Sequence, residues 1–410
     1  MQTTLPKSLL DTPAGREADE VLRNCVHCGF CNATCPTYQL SGDELDGPRG
    51  RIYLIKQVLE GHPASTRTQL HLDRCLTCRA CENTCPSGVD YHHLLDTGRE
   101  LIEHQVGRTP GGYLLRHLLR LALTRRRIFA FLLRLAQSVR PLLPMPQRHL
   151  VPTRPPLLRP APAQRHCRRV LLLEGCVQPA LAPQINRSTH RVLDALGITA
   201  VSPAASVCCG AVSHHLGAVE EARNFMRRNI DAWWEEITAG AEAIVITASG
   251  CALEVKEYGR LLAHDPAYAE KAARVSALAC DLSEVIAREP FDRRLHAPSG
   301  AVKVAFHSPC TLQHGQRLDG VVEELLTRAG FELTPVADQH LCCGSAGTYS
   351  LLQPAISRQL RDNRLEALQK QEPALIATAN IGCLTHLAGA ARVPVRHWIE
   401  LLEPLLTEDS

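Results

Sequence analysis

The chain has 410 residues, of which 45% are hydrophobic and 21% charged, with a formal net charge of +3. These values exclude an intrinsically disordered chain, and so small a net charge gives no reason to expect a nucleic-acid partner. No run of 18 apolar residues occurs and the polar start, Met1 to Asn24, lacks an apolar signal core, so neither a transmembrane helix nor a signal peptide is expected.

The 18 cysteines lie mostly in spaced motifs, which implies metal binding in a reducing compartment rather than a disulfide framework. Residues 17–24 read as a short helix leading into the first motif, Cys25-x2-Cys28-x2-Cys31-x3-Cys35-Pro36. The second, Cys75-x2-Cys78-x2-Cys81-x3-Cys85-Pro86, has the same internal spacing. That run is the signature of a pair of [4Fe–4S] clusters. A cubane needs four soft thiolates, and three cysteines two residues apart can curl around one face of it. In two-cluster ferredoxins the fourth ligand comes from the opposite motif. This rule assigns Cys25, Cys28, Cys31 and Cys85 to cluster 1, and Cys75, Cys78, Cys81 and Cys35 to cluster 2. A structural zinc site is the rival, but zinc knuckles usually contribute cysteines in pairs.

Between the motifs, Gly47 to Arg51 read as a loop and Ile52 to Glu60 as a helix, with Ile52, Ile55 and Leu59 on one face. A further helix is expected over 91–105. The helix-containing insert points to a mainly α-helical ferredoxin-like domain over residues 1–107.

Residues 108–169 contain fourteen arginines and no acidic residue. The spacing predicts two helices jointed near Thr124, with Arg116, Arg120, Arg127 and Arg134 on one arc and leucines and phenylalanines beside them. Such a stretch could lie on an anionic membrane surface, or pack on its own protein or a partner. Eight prolines from Pro141 to Pro162 indicate an extended linker. The basic segment and linker together span 108–167.

Two copies of one α/β unit follow, over 168–300 and 301–410. Each opens with an apolar strand, Val170 to Leu173 or Val302 to Phe306, that runs into Cys176 or Cys310. Thirty-one residues separate that cysteine from Cys208-Cys209-Gly210 in the first copy and from Cys342-Cys343-Gly344 in the second. Helices are expected over 217–238 and 351–370. Further strands, Ala243 to Thr247 and Ala374 to Thr378, lead to Gly250-Cys251 and Gly382-Cys383. Alternating strands and helices imply parallel sheets, which place ligand sites at strand C-termini. The eight cysteines, Cys176, Cys208, Cys209, Cys251, Cys310, Cys342, Cys343 and Cys383, are candidate cofactor ligands that could converge on an additional iron–sulfur cluster. His307 and His386 could be ligands or proton carriers, whereas His314 reads as a satisfied polar residue. Cys167 and Cys280 fit no pattern. No dinucleotide fingerprint or phosphate loop occurs, and no catalytic residue is assigned.

The paired C-x2-C-x2-C-x3-C-P motifs followed by two CCG repeats resemble the iron–sulfur subunit family of glycolate oxidase. The layout is shared by iron–sulfur subunits of glycerol-3-phosphate dehydrogenase, by lactate-utilisation proteins and, in the CCG repeats, by heterodisulfide reductases. The resemblance implies an oxidoreductase subunit that takes electrons from FAD-containing subunits oxidising glycolate to glyoxylate and passes them towards quinone. It also implies a peripheral position on the cytoplasmic side of the inner membrane, and no substrate oxidation by this chain alone. In heterodisulfide reductases each repeat ends in C-x2-C. Here Glu254 and His386 stand where the last cysteine would be, and both could substitute as ligands. A thiol–disulfide reductase and a membrane adaptor for flavin subunits are the alternatives.

Overall fold

The computed structural model describes residues 1–144, 151–155, 162, 166–296, 298 and 300–407. Much of the expected proline-rich linker, residues 145–150 and 156–161, lies outside the described residues.

The N-terminal part is built from helices. Pro13–Asn24 is capped by Thr12, whose side chain accepts from the Gly15 amide, and buries Ala18, Val21 and Leu22. The expected helix after the first motif begins earlier than its apolar face suggested. Gly47 to Arg51 are not a free loop, because Pro48 opens the helix Pro48–Leu59. Proline fits the first helical position, where its missing N–H costs nothing. Gly50 then lies so close to the Glu44 carbonyl that a Cβ would collide with it. Ile52, Ile55 and Leu59 are buried as one face, against Leu94, Leu95 and Ile102 of helix Tyr91–Val106.

Pro110–Thr124 and Arg126–Val139 are two helices broken at Arg125, whose extended backbone ends the first. Among the described residues no helix is long and apolar enough to cross a membrane.

The two repeats each form a four-stranded parallel sheet. The first contains β1 (Arg168–Leu173), β2 (Ile198–Val201), β3 (Ile244–Ile246) and β4 (Ala279–Asp281), in the order β2-β1-β3-β4. The second contains β5 (Lys303–His307), β6 (Glu332–Leu333), β7 (Leu375–Thr378) and β8 (Val395–His397), in the order β6-β5-β7-β8. The repeat is therefore topological as well as sequential. The inner strands are continuous apolar runs because helices cover both faces. One shared core joins the two repeats: Val170, Leu172, Ile185 and Val192 from the first lie in it with Phe306, Trp398 and Leu402 from the second. The outer face of the first sheet packs on Phe225, Met226, Ile230 and Trp233 of helix Val219–Thr238. In the second repeat Pro354 starts a new helix, Pro354–Gln369, so the expected span 351–370 is two pieces rather than one.

Candidate functional site

Each ferredoxin-type loop is shaped by two left-handed residues at equivalent positions. They are His27 and Gly29 in the first loop, and Thr77 and Arg79 in the second, with φ of 60°, 88°, 54° and 60°. Three of these carry side chains in a region that costs roughly 1–3 kcal/mol per residue. The backbone that results curls around its own thiols, and the Thr77 amide lies 3.4 Å from the Cys75 sulfur. Short helices follow, Phe30–Ala33 and Ala80–Asn83, and they carry the chain to the fourth cysteines, Cys35 and Cys85.

The fourth cysteines cross over. Cys25, Cys28 and Cys31 line one hollow together with Cys85, with Cys81 at its border. Cys75, Cys78 and Cys81 line a second together with Cys35. Burial, with the neighbouring thiols Cys25, Cys85 and Cys28, pushes the Cys31 thiol up to about 11. Burial, with Cys78, Cys75 and Cys35 close by, pushes Cys81 up too. Four such thiols become thiolates together only if a cation binds among them, so each donor set fits a cluster of cationic iron.

A buried cation lies beneath the second hollow. Arg51 is 1% exposed and donates from Nε to the His71 carbonyl at 2.8 Å and from Nη2 to Thr37 Oγ1 at 3.1 Å. Its Nη1 lies 4.0 Å from the Cys35 sulfur. Burial opposes its charge, but Cys75, Tyr91, Cys35 and Asp46 around it hold the guanidinium protonated. The Tyr91 hydroxyl points to the Cys75 sulfur at 3.7 Å.

In the repeats the cysteines follow β1, β2 and β3, or β5, β6 and β7, so three adjacent strand ends bring them together. The contacts run within each repeat. Cys176, Cys208, Cys209 and Cys251 act on one another. In the second, Cys310 and Cys342 lie 3.8 Å apart, and Cys342, Cys343 and Cys383 follow in contact. The second set lies beside the second hollow: Leu76, Cys78 and Ala80 pack with Cys342, Tyr349 and Leu360, and the Tyr349 hydroxyl donates to the Arg74 carbonyl at 3.1 Å. Cys167 is exposed and Cys280 is buried in the shared core, apart from both sets.

The residues standing in for the last cysteine are already engaged. Glu254, buried, receives His214 Nδ1 at 3.0 Å. Burial opposes charge on that imidazole, but Glu254 and Asp96 outweigh it and raise it to about 9. His386 Nε2 lies 3.2 Å from Ser357 Oγ. His314 is satisfied, as its sequence context indicates, by Asn83 at 2.9 Å and the His340 carbonyl at 2.9 Å.

Sequence reading passes over an ionic seam between the helical domain and the first repeat. Arg79 meets Glu257 at 3.2 Å, and His92 and His93 approach the same carboxylate at 3.7 and 3.5 Å. The only local signal for it is the adjacent pair His92-His93.

Comparison with known proteins agrees with this anatomy. A "4Fe-4S dicluster domain" family matches residues 21–89 and a "Cysteine-rich domain" family matches 170–256 and 304–388. The chain is 55% identical to the glycolate oxidase iron–sulfur subunit of Escherichia coli (strain K12) over 409 residues, covering 100% of both chains. It is 30% identical to the probable glycolate oxidase iron–sulfur subunit of Bacillus subtilis (strain 168), covering 89% of this chain and 88% of that one. Lactate utilization protein A of Bacillus velezensis is 30% identical but covers only 57% of this chain, while 98% of its own length is matched. A crystal structure of a hypothetical protein from Helicobacter pylori shares the fold, with a TM-score of 0.58 at 10% identity over 98% of this chain and 77% of that one. On these grounds, full-length identity above all, the chain belongs to the glycolate oxidase iron–sulfur subunit family.

Proposed function

We propose that this chain is the electron-transfer subunit of a membrane-associated complex that oxidises glycolate to glyoxylate and delivers the electrons to quinone. The observation that carries the proposal is the placing of Cys85 beside Cys25, Cys28 and Cys31, and of Cys35 beside Cys75, Cys78 and Cys81, in two adjoining hollows, in a chain matching the E. coli subunit from end to end. The proposed ligands are Cys25, Cys28, Cys31 and Cys85 for one [4Fe–4S] cluster, and Cys75, Cys78, Cys81 and Cys35 for the other. Bound there, the two clusters supply one-electron chemistry that divides a flavin's two-electron load.

The chain's own residues do the rest. Left-handed loops hold amides towards the sulfurs, and Arg51 sets a fixed positive charge beside the second quartet. Cys78, packed against Cys342, makes the second repeat the nearest neighbour of that quartet. The four thiols at each repeat's strand ends are proposed as further metal ligands. FAD-containing partner subunits and a peripheral place on the inner face of the cytoplasmic membrane complete the reading.

The test is reconstitution. The anaerobically purified chain, with about eight irons in its two ferredoxin-type clusters besides any metal in the repeats, does not reduce dye with glycolate alone. Its clusters become reduced once the flavin subunits are added. Glycolate-dependent dye reduction by the flavin-free chain would refute the subunit role.

A further inference from the structure

The second repeat holds a donor that the first lacks. His307 ends β5, three residues before Cys310, and is 1% exposed. Neither of its ring nitrogens has a hydrogen-bond partner. A buried imidazole without partners is unfavourable unless something else satisfies it. One of its nitrogens and the sulfurs of Cys343 and Cys383 all lie within 4.8 Å of one another. The equivalent position in the first repeat, three residues before Cys176, is Leu173, buried in an apolar core.

We propose that His307 is the nitrogen ligand of a mixed thiolate–imidazole metal centre in the second repeat, with Cys343 and Cys383 as sulfur ligands. The proposal rests on reading the second repeat as a metal site and names its ligand chemistry. Imidazole and thiolate together suit iron or zinc. His386, the residue that the missing cysteine points to, lies outside the group of mutually close donors formed by His307, Cys343 and Cys383, and its Nε2 faces Ser357. The two repeats therefore differ: one offers cysteines beside a closed Glu254–His214 pair, the other cysteines beside an open imidazole.

The test uses the full-length chain, purified anaerobically, with metal counted beyond the irons of the two ferredoxin-type clusters. The wild-type chain holds additional iron or zinc, and Cys343→Ser loses it. His307→Ala lowers its occupancy by about tenfold or more, the range for losing an orienting or binding group at a metal site, while the two ferredoxin-type electron paramagnetic resonance signals persist. His307→Cys retains the metal but changes its signature. If the metal is zinc, X-ray absorption shows a nitrogen at about 2.0 Å beside sulfurs at about 2.3 Å, and the nitrogen is lost in His307→Cys. If it is iron, the nitrogen hyperfine coupling vanishes in the same variant. No additional metal in the wild-type chain would overturn both the metal-site reading and the His307 assignment. Metal lost in Cys343→Ser but retained with an unchanged signature in His307→Ala and His307→Cys would overturn His307 alone.

Discussion

At the residue scale, Arg51 shows how one buried side chain can set a redox property. A cluster with four thiolates is anionic and becomes more so on reduction, so a fixed cation beside it favours the reduced form. A unit charge about 7 Å away, at an effective dielectric near 20, is worth about 2 kcal/mol, or on the order of 100 mV for one electron. Arg51→Met is therefore expected to lower one reduction potential by that order and leave the other nearly unchanged. The signal that moves should be the one that Cys35→Ser also perturbs, while Cys85→Ser perturbs its counterpart. Redox titration followed by electron paramagnetic resonance reads both. If Arg51→Met shifted both potentials equally, the charge would be acting at long range and Arg51 would have no special place. Arg51 also holds Thr37 and the His71 carbonyl, so the variant loses some thermal stability as well.

At the scale of elements, the arginine-rich pair of helices separates what a local pattern reveals from what it does not. The break near Thr124 and both helices were legible from period and composition. The direction of the charges was not. Arg116 reaches Asp73 at 3.1 Å, Arg120 reaches Glu221 at 3.3 Å, and Arg126 reaches Glu174 at 2.6 Å. Those partners are far away in sequence, and no spacing rule announces them. Short edge strands escaped for a similar reason: β6 has two residues and β8 three, too few to show a period. Cysteine motifs were legible because metal ligation fixes spacing locally, whereas the place of His307 beside Cys343 and Cys383 depends on strand order. The same inward turn of charge leaves Leu114, Leu118, Phe131, Leu132 and Leu135 exposed, with Arg127 and Arg134 beside them. If this face seats the protein on the membrane, apolar contact outweighs charge. Burying a leucine is worth roughly 1.5 kcal/mol or more, so Leu132→Glu with Leu135→Glu should weaken sedimentation with anionic vesicles by about a hundredfold, with cluster absorbance intact. Arg120→Glu should instead destabilise the fold by setting like charges against Glu221. Unchanged sedimentation of the double leucine variant would leave membrane attachment to the partner subunits.

At the scale of the whole molecule, the helical domain is held to the first repeat by a proton-dependent seam. Glu257 collects Arg79, His92 and His93, and Arg260 lies against it at 3.3 Å. Burial resists charge on His92, but Asp90, Glu257 and Glu82 outweigh it and raise the imidazole to about 10. His214, between Glu254 and Asp96, is raised to about 9. Both groups bind their protons more tightly in the folded chain than in the unfolded one, where an imidazole titrates near 6.5. Their contribution is therefore full below about pH 6.5 and is lost as pH rises through about 9 to 10. Glu257→Gln removes the shared anion, and breaking a buried ion pair from one side costs about 3 kcal/mol. The melting temperature of the variant should lie well below that of the wild type at pH 7. The gap should narrow as pH rises through about 9 to 10, because the wild-type histidines then become neutral, and should level off at a residual value, because Arg79 and Arg260 stay charged against Glu257. Using the difference between the two proteins cancels alkaline effects common to both, including any loss of clusters. A gap that stays constant from pH 7 to pH 10.5 would mean that the arginines Arg79 and Arg260 hold Glu257 and that the histidines take no part in docking the two halves.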